Sequence, residues 1–340
     1  MYSGKKAFAK EFLRRLDENK GRIMIFVHES VDGDCIGSAC GLSEVLKNLG
    51  YGSEVAVCEK MPDKMSFLKP QNFTTLVEDP DGYSPSLVIA VDCAQGSRMG
   101  ICGKIFDLCE NKLVVDHHKS VTTEAPNYWI VPSASSASEL VFYLASELAL
   151  LKGKPIEEVV DPIAAQFFLS GIVTDTGRFA YANTNPETLT VSGELMKLGA
   201  EISPVMYWFF DAKDKAQLQV SSYATANANF DCDGKIATTI VRDEDFDRFG
   251  GERVDIGEVV GRLRDVVGVK VSIVLRALEN GGIRVNIRSY DPFDCALFAE
   301  NYGGGGHKNA AGCTVTGIDI EELRDDMVAR ASEILKGTDR

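Results

Sequence analysis

Residues 22–34, RIMIFVHESVDGD, join a short apolar run to a histidine and two aspartates. Isoleucine, valine and phenylalanine dominate the run, which is typical of a strand buried inside a sheet. A helical pattern follows over residues 36–49 and stops at Gly50. The stretch therefore predicts a strand followed by a helix, with His28, Asp32 and Asp34 placed between them.

Two later segments repeat this arrangement. Residues 87–92 (LVIAVD) and 112–116 (KLVVD) are short β-branched runs that end in Asp92 and Asp116. Alternating strands and helices predict a parallel sheet covered by helices. The carboxyl ends of such strands share one edge, where open α/β sheets bind ligands. We expect polar side chains from three strands to meet at this edge, joined by Asp175 from the predicted loop GIVTDTGRF (171–179).

The pattern changes after residue 229. Residues 235–241, 269–278 and 282–289 resemble strands, and ENGG (279–282) is typical of a hairpin turn. We therefore predict an α/β protein with two domains and an active-site cleft between them. The predicted parts are a helix-covered parallel-sheet domain over residues 1–202, a helical linker over 203–229 and a smaller mixed-sheet α/β domain over 230–340.

Composition limits the function further. The formal net charge of −14 at pH 7 argues against binding of long DNA or RNA, which relies on basic surfaces. The nine cysteines form no CxxC pair, so neither a disulfide framework nor a zinc ribbon fits. No apolar run approaches the about 20 residues that cross a membrane, and the first residues lack a secretory signal pattern. These features predict a cytoplasmic location.

Carboxylates gathered at one edge repel each other unless cations neutralise them. Carboxylates combined with imidazoles suit Mn²⁺ or Mg²⁺ better than structural zinc. Two such ions can activate a water molecule for displacement at phosphorus, which predicts phosphoester hydrolysis. The alternative is a set of unconnected helix caps and surface aspartates. Cys35 and Cys93 follow candidate ligands but are interpreted as small buried residues. The candidate carboxylates are Asp32, Asp34, Asp92, Asp116 and Asp175.

Taken together, the motifs resemble those of the DHH phosphoesterase superfamily. The similarity is narrower to its nanoRNase/pAp phosphatase branch, which carries the first-type DHH-associated C-terminal domain. It covers nearly the whole chain. The motifs, in chain order, are His28-x3-Asp32-x-Asp34, VDC with Asp92, Asp116-His117-His118, GIVTDTG with Asp175, and GGGGH (303–307) followed by NAAG (309–312).

The resemblance implies two divalent cations, with Mn²⁺ expected and Mg²⁺ as the alternative. It implies that Asp92 bridges the two ions. Asp116 would orient a histidine, or ligate directly, and His118 would lie near the scissile phosphate, so the expected catalytic residues are His118, Asp116 and Asp92. The implied ligand sets are His28, Asp32 and Asp92 for one ion, and Asp34, Asp92, His117 and Asp175 for the other.

The resemblance also implies substrate-binding residues. Glycines let backbone N–H groups approach an anionic phosphate. Without the other motifs, the glycine run would indicate only a flexible turn and the arginines only exposed side chains. Ser135, Ser136 and Asn183 lie near the motifs but are interpreted as structural. The expected substrate-binding residues are Gly304, Gly305, Gly306, His307 and Arg288, with Arg98 and Arg178 as further candidates.

The activity implied is that of a hydrolase acting on phosphoester bonds. A water activated by two metal ions would hydrolyse short oligoribonucleotides and 3′-phosphoadenosine 5′-phosphate. The alternative within this class is a cyclic di-AMP or pApA phosphodiesterase, and the alternative of another class is a catalytically inactive nucleotide-binding module. The expected partner is a short RNA or nucleotide, with no long duplex and no membrane. A homodimer is compatible with these expectations.

Overall fold

The computed structural model describes residues 2–118, 123, 125–251, 253, 256–278 and 281–338, without the side chains of His307 and Thr338. The chain divides into two compact units, Met1–Ala212 and Lys213–Arg340. The helical linker predicted over residues 203–229 spans the boundary between these units. Among the described residues, no helix combines the length and the apolar character that crossing a membrane requires.

The first unit contains a six-stranded sheet in the order β3-β2-β1-β4-β5-β6, and every neighbouring pair is parallel. This confirms the predicted parallel sheet. Its elements are α1 (Lys5–Glu18), β1 (Ile23–Phe26), α2 (Gly33–Asn48), β2 (Glu54–Val57), β3 (Thr74–Leu76), β4 (Leu87–Val91), α3 (Cys102–Leu108), β5 (Lys112–Asp116), β6 (Tyr128–Ile130), α4 (Ala137–Lys152), α5 (Pro162–Asp175), α6 (Pro186–Lys197) and α7 (Ile202–Met206), followed by a π-helical turn at Tyr207–Asp211.

Both faces of this sheet are buried. Ile23 and Ile25 of β1 belong to the apolar cluster that includes residues of α1, α2, α4 and α5. Met24 and Phe26 belong to a second cluster, shared with α3. Burial on both faces explains why the strands are continuous apolar runs. The strand order reverses between β1 and β4, and open α/β sheets bind ligands beyond the carboxyl ends of the strands at such a point.

Three glycines spaced four residues apart bring α2 close to α5. A Cβ atom on Gly37 would lie 2.5 Å from the carbonyl oxygen of Phe167, and one on Gly41 would lie 2.3 Å from the Phe168 ring. A Cβ on Gly33 would lie 2.3 Å from Thr174 Oγ1. The close packing extends α5 as far as Asp175. The prediction that Asp175 lies in a loop over residues 171–179 is therefore wrong, because α5 continues to Asp175 and packs against α2.

The second unit contains a mixed sheet, as predicted, in the order β11-β12-β10-β9-β8-β7. Strands β8 and β9 are parallel, and the other neighbouring pairs are antiparallel. In the predicted turn between β9 and β10, Glu279 and Asn280 lie outside the described residues. The elements are α8 (Lys215–Ala226), β7 (Asn229–Asp231), β8 (Ile236–Val241), α9 (Asp243–Arg248), α10 (Glu258–Arg264), β9 (Val271–Ala277), β10 (Ile283–Ser289), α11 (Cys295–Glu300), β11 (Gly305–His307), β12 (Ala310–Val315) and α12 (Ile320–Thr338).

Candidate metal centre

His28 follows β1 and is buried. Its Nδ1 lies 2.7 Å from the carbonyl oxygen of Glu29. A carbonyl oxygen only accepts, so Nδ1 is the donor and the neutral ring presents the lone pair of Nε2. That nitrogen lies 3.3 Å from Asp92 Oδ2 and 3.7 Å from Asp32 Oδ2. The ring is therefore oriented so that Nε2 can bind a metal ion beside two carboxylates.

Asp32 and Asp34 lie at the start of α2. Asp32 is the N-cap residue, and its Oδ1 accepts hydrogen bonds from the backbone N–H groups of Asp34 and Cys35 at 3.0 and 2.9 Å. Its Oδ2 faces His28. Asp32 thus caps the helix with one carboxylate oxygen and presents the other oxygen to the site. The interpretation of Asp32 as a helix cap and its prediction as a metal ligand are therefore compatible.

The carboxylate of Asp34 is buried and held by the N-terminus of α4. Its Oδ2 accepts a hydrogen bond from the backbone N–H of Ala137 at 2.6 Å, and its Oδ1 accepts one from Ser138 at 2.9 Å. The partial positive charge of a helix N-terminus favours a carboxylate at this place. Gly171 leaves room for this contact, because a Cβ there would lie 2.8 Å from Asp34 Oδ1.

Asp92 follows β4 and lies between two imidazoles. Its Oδ2 is 3.3 Å from Nε2 of His28, and its Oδ1 is 3.3 Å from Nε2 of His117. The side chain is 2% exposed. The contact between Oδ1 and His117 is close enough for a charge interaction but is not a hydrogen bond, so Oδ1 has no hydrogen-bond partner in the described part of the chain. The backbone has a positive φ of 58°, which is uncommon outside glycine. A buried carboxylate oxygen without a partner fits a metal ligand.

Asp116 ends β5 and is fully buried. Its Oδ1 accepts hydrogen bonds from the backbone N–H groups of His117 and His118 at 2.7 and 3.0 Å, and contacts Nδ1 of His118 at 2.8 Å. Nε2 of His117 lies 3.8 Å from both Asp34 Oδ2 and Asp175 Oδ2. Asp116 thus orients the two histidines, while its Oδ2 is buried without a partner among the described residues.

The crowding of charge is reflected in the pKa values. Burial, and then the charges of Asp92 and Asp175, raise the pKa of Asp34 well above its usual range. Burial opposes protonation of His28, but the neighbouring carboxylates of Asp92 and Asp32 outweigh it and raise the pKa to about 9. Burial would also raise the pKa of Asp92, yet the imidazoles of His117 and His28 hold it well below its ordinary value. A bound cation would replace the protons that otherwise balance this charge.

The ligand atoms form three groups, two of which share His117, and the atoms of each group lie within 4.8 Å of one another. Mixed carboxylate and imidazole donors fit a divalent metal ion. Cys35 lies in one group, but burial raises the pKa of its thiol well above the ordinary value. Its Sγ donates a hydrogen bond to the carbonyl oxygen of Asp32 at 3.4 Å, in keeping with a buried neutral thiol. The groups are His28 with Asp32 and Cys35, Asp92 with His117 and His118, and Asp34 with His117 and Asp175.

Two predicted substrate residues of the first unit lie outside these groups. Arg98 is half-buried in a turn after β4, and its carbonyl oxygen accepts a hydrogen bond from the backbone N–H of Glu29 at 2.8 Å. Arg178 is exposed, pairs with Asp211 at 3.3 Å and lies over the Phe210 ring. To contact a substrate, the Arg178 guanidinium would therefore have to leave its surface ion pair with Asp211.

The predicted substrate residues of the second unit lie on adjoining strands. Arg288 on β10 and His307 on β11 are each in register with Ala310 of β12, so the three residues form one row across the sheet. The side chain of His307 lies outside the described part. A Cβ on Gly304 would lie 2.3 Å from the carbonyl oxygen of Gly312, and Gly306 has a φ of 148°. The glycine run is therefore partly a strand, and close packing requires glycine at these two positions.

Asn183 has a larger role in the structure than its sequence position indicates. Its Nδ2 donates hydrogen bonds to Asp175 Oδ2 at 3.3 Å, to the carbonyl oxygen of Asp175 at 3.1 Å and to that of Ser135 at 2.9 Å. Asn183 thus holds a predicted ligand in place. No local pattern signals this role, because Ser135 and Asn183 meet only in the folded chain. The four-residue glycine period in α2 is visible in the sequence and is the signal for the close packing of α2 on α5.

The chain is similar to known proteins in sequence and in fold. Two sequence models of protein families match the chain. The family described as "DHH family, N-terminal domain" matches residues 22–172, and the family described as "DHHA1 domain" matches residues 233–337. Two relatives are both named bifunctional oligoribonuclease and PAP phosphatase NrnA. The one from Thermus thermophilus is 30% identical over 93% of this chain and 91% of its own. The one from Bacillus subtilis is 28% identical over 86% of this chain and 89% of its own.

A solved structure shares the fold. It is described as an exopolyphosphatase-related protein from Bacteroides fragilis and superimposes with a TM-score of 0.85. The alignment covers 97% of this chain and 98% of that protein, at 23% sequence identity. This similarity supports the architecture described above.

Proposed function

This chain belongs to the DHH family, and we propose that it is a phosphoester hydrolase that cleaves short oligoribonucleotides and the terminal phosphate of 3′-phosphoadenosine 5′-phosphate. The observation that carries this proposal is the position of Asp92, which presents one oxygen to His28 and the other to His117. A carboxylate placed in this way suits two neighbouring cations. The names of the two NrnA relatives support the substrate class.

We assign cation binding to the residues around Asp92. Divalent cations bound there would neutralise phosphate charge and lower the pKa of a water molecule. Asp116 holds Nδ1 of His118 and so fixes the direction of its ring, and we assign to His118 a contact with the reacting phosphate. The assigned ligands are His28, Asp32 and Asp92 for one ion and Asp34, Asp92, His117 and Asp175 for the other, with Mn²⁺ expected and Mg²⁺ as the alternative.

We assign binding of the substrate phosphate to Gly304, Gly305, Gly306, His307 and Arg288. The row formed by Arg288, Ala310 and His307 supports this, because residues in register on adjacent strands lie on the same face of a sheet. An arginine and a histidine in one row are residue types that can donate hydrogen bonds to a phosphate. Arg98 and Arg178 remain further candidates for binding the substrate.

Replacing His307 by alanine should weaken substrate binding and leave the cation site intact. Loss of one charge-assisted or neutral hydrogen bond to phosphate costs about 1–3 kcal/mol, which corresponds to a roughly 5- to 150-fold rise in KM. Steady-state kinetics on a dinucleotide would measure this change, and Mn²⁺ titration would show whether metal binding is retained.

Lys308→Ala is the matched control for His307→Ala. Lys308 is the next residue in the same hairpin, and its ammonium group pairs with Asp291 at 2.9 Å. We expect its KM to stay within about twofold of the wild-type value, because surface ion pairs contribute little. Equal KM values for His307→Ala and the wild type would reject the phosphate role of His307.

The substrate class is tested by side-by-side kinetics on short RNA, 3′-phosphoadenosine 5′-phosphate, pApA and cyclic di-AMP, each with Mn²⁺ and with chelator. We expect turnover of short RNA and of 3′-phosphoadenosine 5′-phosphate, with no turnover in chelator. Preference for cyclic di-AMP or pApA would select the alternative phosphodiesterase activity. No turnover of any substrate at saturating Mn²⁺ would leave only the non-catalytic nucleotide-binding module.

A further inference from the structure

Glu139 is a buried carboxylate that the predicted ligand sets do not include. It lies in the first turn of α4 and is completely shielded from solvent. Its Oε1 accepts a hydrogen bond from the hydroxyl of Tyr2 at 2.7 Å. Its Oε2 accepts hydrogen bonds from the backbone N–H of Ser135 at 3.3 Å, from Ser135 Oγ and from Thr188 Oγ1 at 3.2 Å. Desolvation of a carboxylate is costly, and several converging donors are needed to offset it.

These contacts differ from those of an ordinary helix cap. Ser136 is the N-cap residue of α4, and its Oγ accepts the hydrogen bond from the backbone N–H of Glu139 at 3.1 Å. In a capping box the acidic side chain returns to the backbone N–H of the cap residue itself. Here it reaches one residue further back and binds both the backbone and the side chain of Ser135. The side chain therefore fixes the segment before the helix as well as the helix start.

That segment and the helix start together hold two predicted metal ligands. The carbonyl oxygen of Ser135 accepts the hydrogen bond from Asn183, whose amide also binds Asp175. The backbone N–H groups of Ala137 and Ser138 bind the two oxygens of Asp34. A continuous path of hydrogen bonds thus runs from Glu139 to Asp175, and the helix start that Glu139 fixes carries the donors to Asp34.

His28 and Asp32 are held differently. His28 is oriented by the carbonyl oxygen of Glu29, and Asp32 by the first turn of α2. Neither arrangement involves residues 133–139. The side-chain supports of the two cation sites are therefore separate, apart from the Asp92 carboxylate that both sites share and the backbone N–H of Asp34, which binds Asp32.

We propose that Glu139 is a positioning residue that fixes Asp34 and Asp175, and thereby determines the affinity of one of the two cation sites without affecting the other. The inference rests on the proposed function, because it uses the ligand sets assigned there. Outer partners of metal ligands typically contribute about 10- to 100-fold in metal affinity or activity.

Glu139→Gln tests this inference. The substitution keeps the volume of the side chain but places an NH₂ group against donors that need an acceptor. Mn²⁺ binding measured by calorimetry should show one site weakened by about 10- to 100-fold and the other within about twofold of wild type. The Mn²⁺ concentration needed for half-maximal hydrolysis should rise by a similar factor, and excess Mn²⁺ should restore most of the rate.

Glu147→Gln is the matched control. Glu147 is a buried residue two turns further along α4, and it pairs with Lys5 at 3.0 Å instead of the segment before the helix. This variant is expected to lower the unfolding temperature while both Mn²⁺ affinities remain at wild-type values. Thr188→Val removes one of the hydrogen-bond donors to Glu139. It should weaken Mn²⁺ binding at the same site as Glu139→Gln, but by a smaller factor. This variant serves as the test if Glu139→Gln does not fold.

Two results would overturn the inference. One is wild-type affinity at both sites in Glu139→Gln and Thr188→Val, and the other is equal weakening of both sites in either variant. The proposed function fails separately, because a wild-type protein that binds two Mn²⁺ ions but hydrolyses no nucleotide substrate would reject the activity and keep the role of Glu139. A wild-type protein that binds no Mn²⁺ would reject both.

Discussion

Asp92→Asn should abolish cation-dependent hydrolysis, with a loss greater than about a hundredfold, because removal of even an outer partner of a metal ligand costs about 10- to 100-fold. Asp92 presents one oxygen to His28 and the other to His117, so a neutral amide in its place loses a charge that both cation sites use. Asparagine has nearly the same shape and tolerates a positive φ, here 58°. Its rate should be compared with wild type on a dinucleotide at saturating Mn²⁺.

The unfolding temperature of the same variant checks that the fold survives. Asp81→Asn is the matched control, because Asp81 is an exposed aspartate of the same unit that pairs only at the surface with Lys104. We expect this control to keep its activity within about twofold, as surface ion pairs contribute little. A near wild-type rate for Asp92→Asn would show that Asp92 does not bridge two cations.

Gly37→Ala should destabilise the protein by about 1–3 kcal/mol, the usual range for adding a methyl group to a packed core. The new Cβ would lie 2.5 Å from the carbonyl oxygen of Phe167 and 2.9 Å from the backbone nitrogen of Gly171. Both are backbone atoms, so α2 and α5 must move apart. Because Asp34 and Asp175 lie on these helices, hydrolysis should also slow. Urea unfolding monitored by circular dichroism would measure the change in stability.

Gly193→Ala makes the same chemical change but is expected to raise the stability of the protein instead of lowering it. Gly193 also lies inside a helix, α6, but a Cβ there would meet no atom within 4 Å. Alanine should therefore stabilise the protein by about 0.5–1 kcal/mol, through its better helix propensity. If Gly37→Ala were as stable as wild type, the close packing of α2 on α5 would not be essential to the fold.

Local sequence patterns were sufficient for the central strands. The runs that form β1, β4 and β5 are buried on both faces, so their apolar character alone identifies them. The edge strands β3 and β6 have only three residues each and were not predicted. Strand β11 consists of glycines and His307, which have little intrinsic strand preference, and it forms because β12 pairs with it.

The site was predictable where its residues directly follow strands. His28, Asp92 and His117 could be placed together because the carboxyl ends of parallel strands share one edge. Contacts between distant segments were not predictable, since no local pattern encodes them. Asp34 is bound by residues more than a hundred positions away, and Asn183 links Ser135 to Asp175 only after folding. The supports of the ligands therefore required the structure.

The central claim is that cations held around Asp92 drive phosphoester hydrolysis. The most direct test is to follow dinucleotide hydrolysis by chelator-treated protein while Mn²⁺ is added and the bound ions are counted. The account predicts no hydrolysis without cation, and a rate that reaches its plateau when two ions are bound per chain. Full hydrolysis in chelator, or no hydrolysis of nucleotide substrates with two ions bound, would contradict it.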